Sequence, residues 1–219
     1  PFPDFVDNTM RGSFLLCPRK WMYEFLFQLA PIGPAIHLHA GGAFARGLEV
    51  ARKAFYQEGL SEAESTRLGL EATILAYGNF IAPPTKQGDK SLDNVIKALD
   101  SYLQRYPLGK DPIVPFKAAD GKLMIEFSFS IPTSIINPST GNPILYSGRC
   151  DMIGQLYDSL FVTDEKTATQ LGEQWAQQWD LESQFTGYIF AAQQHGFPVA
   201  GALIRGVGLL KTKITHAGA

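Results

Sequence analysis

The sequence predicts an α/β fold in which helices flank a mixed β-sheet. Apolar residues recur at helical spacing through most of residues 1–112. Residues 113–219 then hold a run of strand-like segments, one further helix and one last strand. Helices followed by strands and a closing strand–helix–strand unit are typical of a mixed sheet, and 219 residues suffice for a single domain spanning residues 1–219.

Composition and charge narrow the possible function classes. The formal net charge is −2, so nothing draws the whole molecule towards nucleic acid, and any phosphate-binding surface must be a local patch. No apolar run approaches the ~20 residues that span a bilayer, and no signal peptide is visible. Two cysteines, Cys17 and Cys150, do not make a disulfide framework. We therefore expect a cytoplasmic protein that has no membrane partner.

The predicted helices follow from apolar periodicity and capping residues. Near the N-terminus, Pro18 interrupts a helical pattern that Ser13 is expected to cap. A long amphipathic helix is predicted from Ala43 to Gln57, and on it Glu49 lies beside the apolar stripe rather than opposite it. The remaining helices are predicted at 61–80, opened by Ser61 and Glu64 as a capping box, at about 92–106, and at 182–195.

The predicted strands lie at 113–116, 123–131, 145–156, from 160 onwards, and at 199–210. Residues 157–159 supply turn chemistry between the third and fourth of these strands. The third and fourth strands are therefore predicted to form a hairpin, and this hairpin carries an unusual set of charges: Asp151, Asp164, Glu165 and Lys166. An even number of loop residues would bring Asp151 opposite Asp164 or Lys166, whereas an odd number would turn it towards Glu165.

Two carboxylates and one ammonium group at a strand end suit the binding of a hard cation. Mg²⁺ prefers oxygen ligands, and a bound ion of this kind can activate water and hold a phosphate oxygen. A neighbouring lysine can orient that water or neutralise charge that develops on the phosphate. The alternative is a solvated ion pair at a turn, worth ~0–1 kcal/mol.

Several stretches together resemble one family. Asp151, then Asp164-Glu165-Lys166, then Gln184-Phe185-Thr186-Gly187-Tyr188 are similar to the PD-(D/E)XK nuclease superfamily, in its RecB-like branch. Cys17-Pro18-Arg19-Lys20 resembles the opening helix of that branch, and Gly41 to Glu49 resembles its first motif helix. The resemblance covers nearly the whole chain in the correct order. It implies a restriction-endonuclease-like core, residues 113–219, preceded by a mostly helical part, residues 1–112.

The resemblance also implies roles for the site residues. Asp151 and Asp164 resemble the metal-binding carboxylates, Lys166 resembles the catalytic lysine, and the main-chain carbonyl of Glu165 is a further expected ligand. Gln184 and Tyr188 lie one helical turn apart and are expected to line the site, the alternative being that Tyr188 packs on the sheet.

Two departures from the family pattern affect the expected ligands. Many relatives have a histidine where this chain has Ala45, and an alanine cannot bind a metal. Glu49, one turn further along, is expected to bind the metal in its place. Some relatives hold an iron–sulfur cluster, but this chain lacks the C-terminal cysteines that such a cluster needs. We therefore expect no cluster, and Cys17 is expected to be a small buried residue.

The resemblance predicts a Mg²⁺- or Mn²⁺-dependent deoxyribonuclease, more specifically an exonuclease acting on single strands or duplex ends. A role in phage or bacterial recombination, repair or DNA processing is implied, with a homo-oligomer or a recombination protein as a further expected association.

Trp175 and Trp179 are expected either to stack on bases or to pack internally. The alternative function is a catalytically weakened DNA-binding or assembly module. The predicted phosphate contacts are Arg19, Lys20, Arg149, Lys211 and Lys213.

Overall fold

A computed structural model describes residues 2–29, 35–80, 90–180 and 182–209. Its helices are α1 (Asn8–Leu16), α2 (Pro18–Trp21), α3 (Ile36–Tyr56), α4 (Glu62–Tyr77), α5 (Leu92–Arg105), α6 (Glu173–Gln177) and α7 (Ser183–Gln194), with a π-helical turn at Met22–Leu26. Its strands are β1 (Phe5–Val6), β2 (Ile113–Pro115), β3 (Ile125–Ile136), β4 (Pro143–Leu156), β5 (Ser159–Ala168) and β6 (Val199–Gly208). None of the helices in these ranges is long and apolar enough to cross a membrane.

The six strands form one mixed sheet around β4. Strands β2, β3 and β5 pair with β4 antiparallel, whereas β1 pairs with it in parallel. Strand β5 then pairs in parallel with β6, and α7 connects these two strands. The predicted α/β class with a mixed sheet and flanking helices is confirmed.

Two hydrophobic clusters lie against the sheet. The first joins α3, α4 and α5 to the end of β6, with Phe44, Leu99 and Leu209 among its most buried members. The second joins α7 to the strands through residues such as Ile153 and Val162. The central strands are thus covered by helices, which places the hairpin charges at the edge of a packed interior.

Four details of the prediction need correction. Helix α3 begins at Ile36 rather than at Ala43, because the His37–Gly42 stretch is helical as well. Ser13 lies inside α1, whose N-cap is Asp7; the Asp7 side chain accepts a hydrogen bond from the Met10 amide. Phe5–Val6 is a strand that pairs with β4, whereas the sequence predicts no strand before residue 113. Cys17 is exposed and not buried.

Candidate metal centre

The hairpin of β4 and β5 places the predicted acidic residues next to each other. Its loop consists of Tyr157 and Asp158, because Leu156 pairs with Ser159. The even-numbered alternative is therefore the one that the chain adopts. Met152 pairs with Thr163, so the next positions along the two strands are Asp151 and Asp164.

Asp151 occupies the point at which the two strands separate. Regular pairing of β4 with β5 ends at Met152, and the Glu165 amide beyond it donates a hydrogen bond of 3.0 Å to Oδ2 of Asp151. A side-chain carboxylate thus replaces a main-chain acceptor of the ladder. Burial raises the pKa of Asp151 to about 8, and the negative charges of Asp164 and Glu165 contribute in the same direction.

Asp164 and Lys166 leave the same face of β5 and form an ion pair. The Lys166 Nζ lies 2.9 Å from Oδ1 and 3.2 Å from Oδ2 of Asp164. Asp164 is 4% exposed, and this burial raises its pKa although the Lys166 charge opposes the shift. The Lys166 ammonium remains partly open to solvent and lies 5.8 Å from the centre of the Phe185 ring on α7.

The side chain of Glu165 leaves the opposite face of β5 and enters a buried network. Its carboxylate accepts hydrogen bonds from Arg52 at 2.5 and 3.0 Å and from the Tyr102 hydroxyl at 2.7 Å. Arg205 extends the network by donating to Tyr102 at 2.9 Å and by a bidentate pair with Asp111, 2.6 Å for each bond. Although burial opposes ionisation, the Arg52 charge holds the pKa of Glu165 below its ordinary value. The Glu165 carboxylate is therefore already bound, and its carbonyl is the atom that remains as a predicted ligand.

Glu49 of α3 reaches the neighbourhood of Asp151, as its helix position predicted. Ala45, Glu49 and Arg52 line one side of a small cavity of about 10 Å³ that Asp151 lines from β4. The Glu49 carboxylate also forms ion pairs with Arg46 at 2.7 Å and Lys53 at 2.5 Å. Burial works against the charged form of Glu49, but these two partners lower its pKa overall.

Glu126 lines the same cavity and was not among the predicted site residues. It has a left-handed backbone conformation, φ 56°, which is uncommon for a residue other than glycine. Its carboxylate lies 2.8 Å from the Arg149 guanidinium, and burial raises its pKa. A charged residue in the middle of a strand was the only sequence signal available, and a solvent-facing strand position produces the same signal.

Gln184 and Tyr188 share one face of α7, as their spacing predicted. The Gln184 Nε2 donates a hydrogen bond of 2.8 Å to the Tyr188 hydroxyl. Burial raises the pKa of Tyr188, and the charges of Asp164 and Asp151 add to the shift, so the helix face lies within electrostatic reach of the carboxylates. A Cβ at Gly187 would stand 1.8 Å from the Tyr146 hydroxyl, which explains why α7 needs glycine there to approach β4.

A larger cavity of about 390 Å³ lies beside these residues. Its walls come from the start of α1, from residues 147–149 of β4, and from the segment that joins α6 to α7. Gln184, Tyr188 and Arg149 line it together, so a predicted phosphate contact and two predicted site residues share one cavity. Trp179 forms part of the wall as well.

The other predicted DNA contacts are distributed differently. Arg19 and Lys20 are exposed on α2, and Lys20 lies 3.5 Å from Glu24. Neither lines the cavity beside Gln184. Trp175 packs over Gly206 of β6, where an added Cβ would stand 2.8 Å from its ring, which agrees with the packing alternative. Lys211 and Lys213 lie outside the described residues.

The site offers few side-chain ligands for a divalent cation, which is typical of Mg²⁺ sites. Within the described ranges, no three His, Cys, Asp or Glu side chains are grouped so that they could hold a metal ion. Asp151 and Asp164 nevertheless occupy adjacent positions, and the negative charge of Asp164 adds to the burial that raises the pKa of Asp151. A positive charge between the two carboxylates would relieve that repulsion. Two carboxylates together with waters and substrate oxygens are a common ligand set for Mg²⁺.

No protein-family model matches the chain, and no curated protein matches it in sequence.

Proposed function

We propose that this chain is a divalent-metal-dependent deoxyribonuclease of the PD-(D/E)XK superfamily, with a restriction-endonuclease-like core, and that it acts as an exonuclease. The observation that carries the proposal is that the half-buried Asp151 and the buried Asp164 occupy adjacent positions where β4 and β5 separate, with Lys166 bound directly to Asp164. The order of the elements supports the proposal, because Asp151 on β4, Asp164 to Lys166 on β5, and Gln184 to Tyr188 on α7 follow one another as in the family that the sequence resembles.

Asp151, Asp164 and the main-chain carbonyl of Glu165 would hold the cation. Glu49 would be a further ligand when its ion pairs with Arg46 and Lys53 break. A divalent cation in this position supplies Lewis-acid stabilisation of a phosphate oxygen and lowers the pKa of bound water. The Lys166 ammonium has three donors, and its bonds to Asp164 leave at least one of them for a water or a phosphate oxygen. Gln184 and Tyr188 would position the strand.

Purified protein incubated with end-labelled linear DNA tests this proposal. With Mg²⁺ or Mn²⁺ the wild type is expected to degrade single-stranded DNA or duplex ends, and with EDTA it is expected to do nothing. Asp164→Asn and Lys166→Ala should each lower the rate by ~100-fold or more, since each removes a charge that acts on the developing transition state.

Asp158→Asn is the matched control, because Asp158 is an exposed aspartate in the loop of the same hairpin. It should retain the wild-type rate. Degradation that is independent of metal, or that persists at full rate in both site variants, contradicts the assignment.

A second function, a DNA-binding or assembly module of the same fold, is favoured by one feature. Ala45 cannot bind a metal, and Glu49 is already paired with Arg46 and Lys53. The same digest separates the two functions: a module binds DNA in either metal and leaves it intact.

A further inference from the structure

The cavity beside Gln184 and Tyr188 has the size of a small-ligand site. Its volume of about 390 Å³ lies near the lower end of the ~300–1,000 Å³ that is typical of such sites. The cavity adjoins the candidate metal centre. Arg149, which lines it, precedes Asp151 by two residues on β4, and the charge of Asp164 contributes to the raised pKa of Tyr188, which also lines it. A ligand in this cavity would therefore lie next to the phosphate group that the site is proposed to cut.

The charges around the cavity disfavour a phosphate group inside it. Asp7 and Glu182 both line the wall, and each carboxylate caps the helix that follows it. Among the described residues that line the cavity, Arg149 is the one cation, and its guanidinium is already paired with Glu126 at 2.8 Å. The lining thus carries one more negative than positive charge, so it favours a neutral group over an anion.

The polar atoms of the wall suit a flat, neutral, hydrogen-bonding group. Among the described residues, the Gln184 amide forms a hydrogen bond only through its Nε2, so its carbonyl oxygen can accept one from a ligand. The Tyr188 hydroxyl accepts that bond and can still donate its own proton. The Asn8 amide likewise uses its nitrogen for the Tyr146 hydroxyl. Trp179 offers an aromatic surface, and its indole nitrogen is buried without an acceptor among the described residues.

We propose that this cavity receives the base of one unstacked nucleotide next to the scissile phosphate. A base inside a duplex cannot enter without leaving its stack, and this costs least for a single-stranded or frayed end. The inference rests on the proposed function for the position of the phosphate, but the base pocket itself does not require cleavage. It predicts that the substrate is single-stranded at the nucleotide beside the cut.

The test compares single-stranded octamers that have either intact bases or one abasic nucleotide at the 5′ or the 3′ end, together with a blunt hairpin duplex. Fluorescence anisotropy measures their binding to the full chain in Ca²⁺, and gel analysis measures their cleavage in Mn²⁺. The intact single strand should bind about 5- to 150-fold more tightly than the strand that is abasic at the relevant end, as expected for loss of one stacked base.

Thr9→Trp fills the mouth of the cavity from an exposed position on α1 and should abolish that difference. Thr66→Trp is its control, since Thr66 lines a separate cavity of about 280 Å³ between α4 and α5. The thermal midpoints of both variants verify that they fold, and a second filling variant, Ser147→Phe, replaces Thr9→Trp if that variant does not.

The outcomes separate this inference from the proposed function. Base-dependent binding without cleavage supports the pocket and overturns the nuclease. Cleavage with equal binding of intact and abasic strands, or a difference that survives in the filled variant, overturns the pocket and leaves the nuclease standing. A protein that neither binds nor cuts any of these strands overturns both.

Discussion

At the scale of single residues, the site contains two aspartates, Asp151 and Asp164, whose surroundings disfavour their ionised forms. Asp151 is half-buried and Asp164 is buried, and neither forms an ion pair with an arginine among the described residues, whereas Glu165, which follows Asp164, is paired with Arg52. Their environment raises both pKa values, which is a cost to the folded state that a structural role does not explain. On the opposite face of β5, Arg52 holds the pKa of Glu165 below its ordinary value, whereas the Lys166 charge does not fully offset the effect of burial on the pKa of Asp164.

Asp151→Asn is expected to stabilise the protein in the absence of metal. The carboxyl pKa is about 8 in the folded state and 3.8 as its ordinary value, so the folded state binds more protons between these two values. The stability that this group contributes is complete below pH ~4 and declines as the pH rises through 8. At pH 8 the asparagine variant should gain about 1 kcal/mol or more in free energy of unfolding, since one pKa unit corresponds to ~1.4 kcal/mol.

Urea unfolding at pH 4, 6 and 8 with EDTA present measures this gain. The advantage of Asp151→Asn should grow across the series, whereas Asp158→Asn in the exposed loop should show none. A variant that is less stable than the wild type at pH 8 contradicts the assignment of Asp151 as a carboxylate whose ionised form destabilises the fold.

At the scale of secondary-structure elements, α3 and α4 pack closely at a glycine contact. A Cβ on Gly47 would lie 1.9 Å from the Thr73 hydroxyl and 2.8 Å from the Gly69 carbonyl. Gly47→Ala should therefore lower the free energy of unfolding by ~1–3 kcal/mol through overpacking. Gly42→Ala on the same helix meets no atom of the described residues within 4 Å and should raise the free energy of unfolding by ~0.5–1 kcal/mol through helix propensity. Denaturant unfolding of the two variants decides this, and changes of the same sign would refute the close packing.

The Arg52–Glu165 pair attaches α3 to β5 over 113 residues of sequence. Arg52→Met leaves a buried carboxylate without its partner and should cost ~3–5 kcal/mol, whereas Arg52→Met/Glu165→Met should recover most of that loss. Arg67→Met, at an exposed position on α4, should change stability little. The coupling free energy from this double-mutant cycle is the measurement, and strictly additive effects are inconsistent with a direct pair.

Most elements were predictable because their signals are local. The stripe of Phe44 and Leu48 fixes α3, and the spacing of Gln184 and Tyr188 fixes their shared face on α7. The partners of Glu165 were not predictable, because Arg52 and Tyr102 become its neighbours only when distant helices pack on one face of β5. The left-handed conformation of Glu126 was not predictable either, because it depends on how β3 pairs with β4.

At the scale of the whole molecule, the candidate site joins parts of the chain that are far apart. Glu49 and Arg52 come from α3, Asp151 and Asp164 from the hairpin, and Tyr188 from α7, which crosses from β5 to β6. An unfolded chain does not hold these groups together. A ligand that binds the assembled carboxylates must therefore stabilise the folded state against global unfolding.

Mn²⁺ is accordingly expected to raise the thermal midpoint of the wild type. At a free concentration of 100 times its Kd, the ion should add ~2.7 kcal/mol to the free energy of unfolding. The gain should be larger at pH 8 than at pH 6, because protons compete with the ion for carboxyl groups whose pKa values are raised. Differential scanning fluorimetry with Mn²⁺ and with EDTA measures the shift. Asp151→Asn should lose it and Asp158→Asn should keep it, whereas an equal shift in both variants would place the ion elsewhere on the protein.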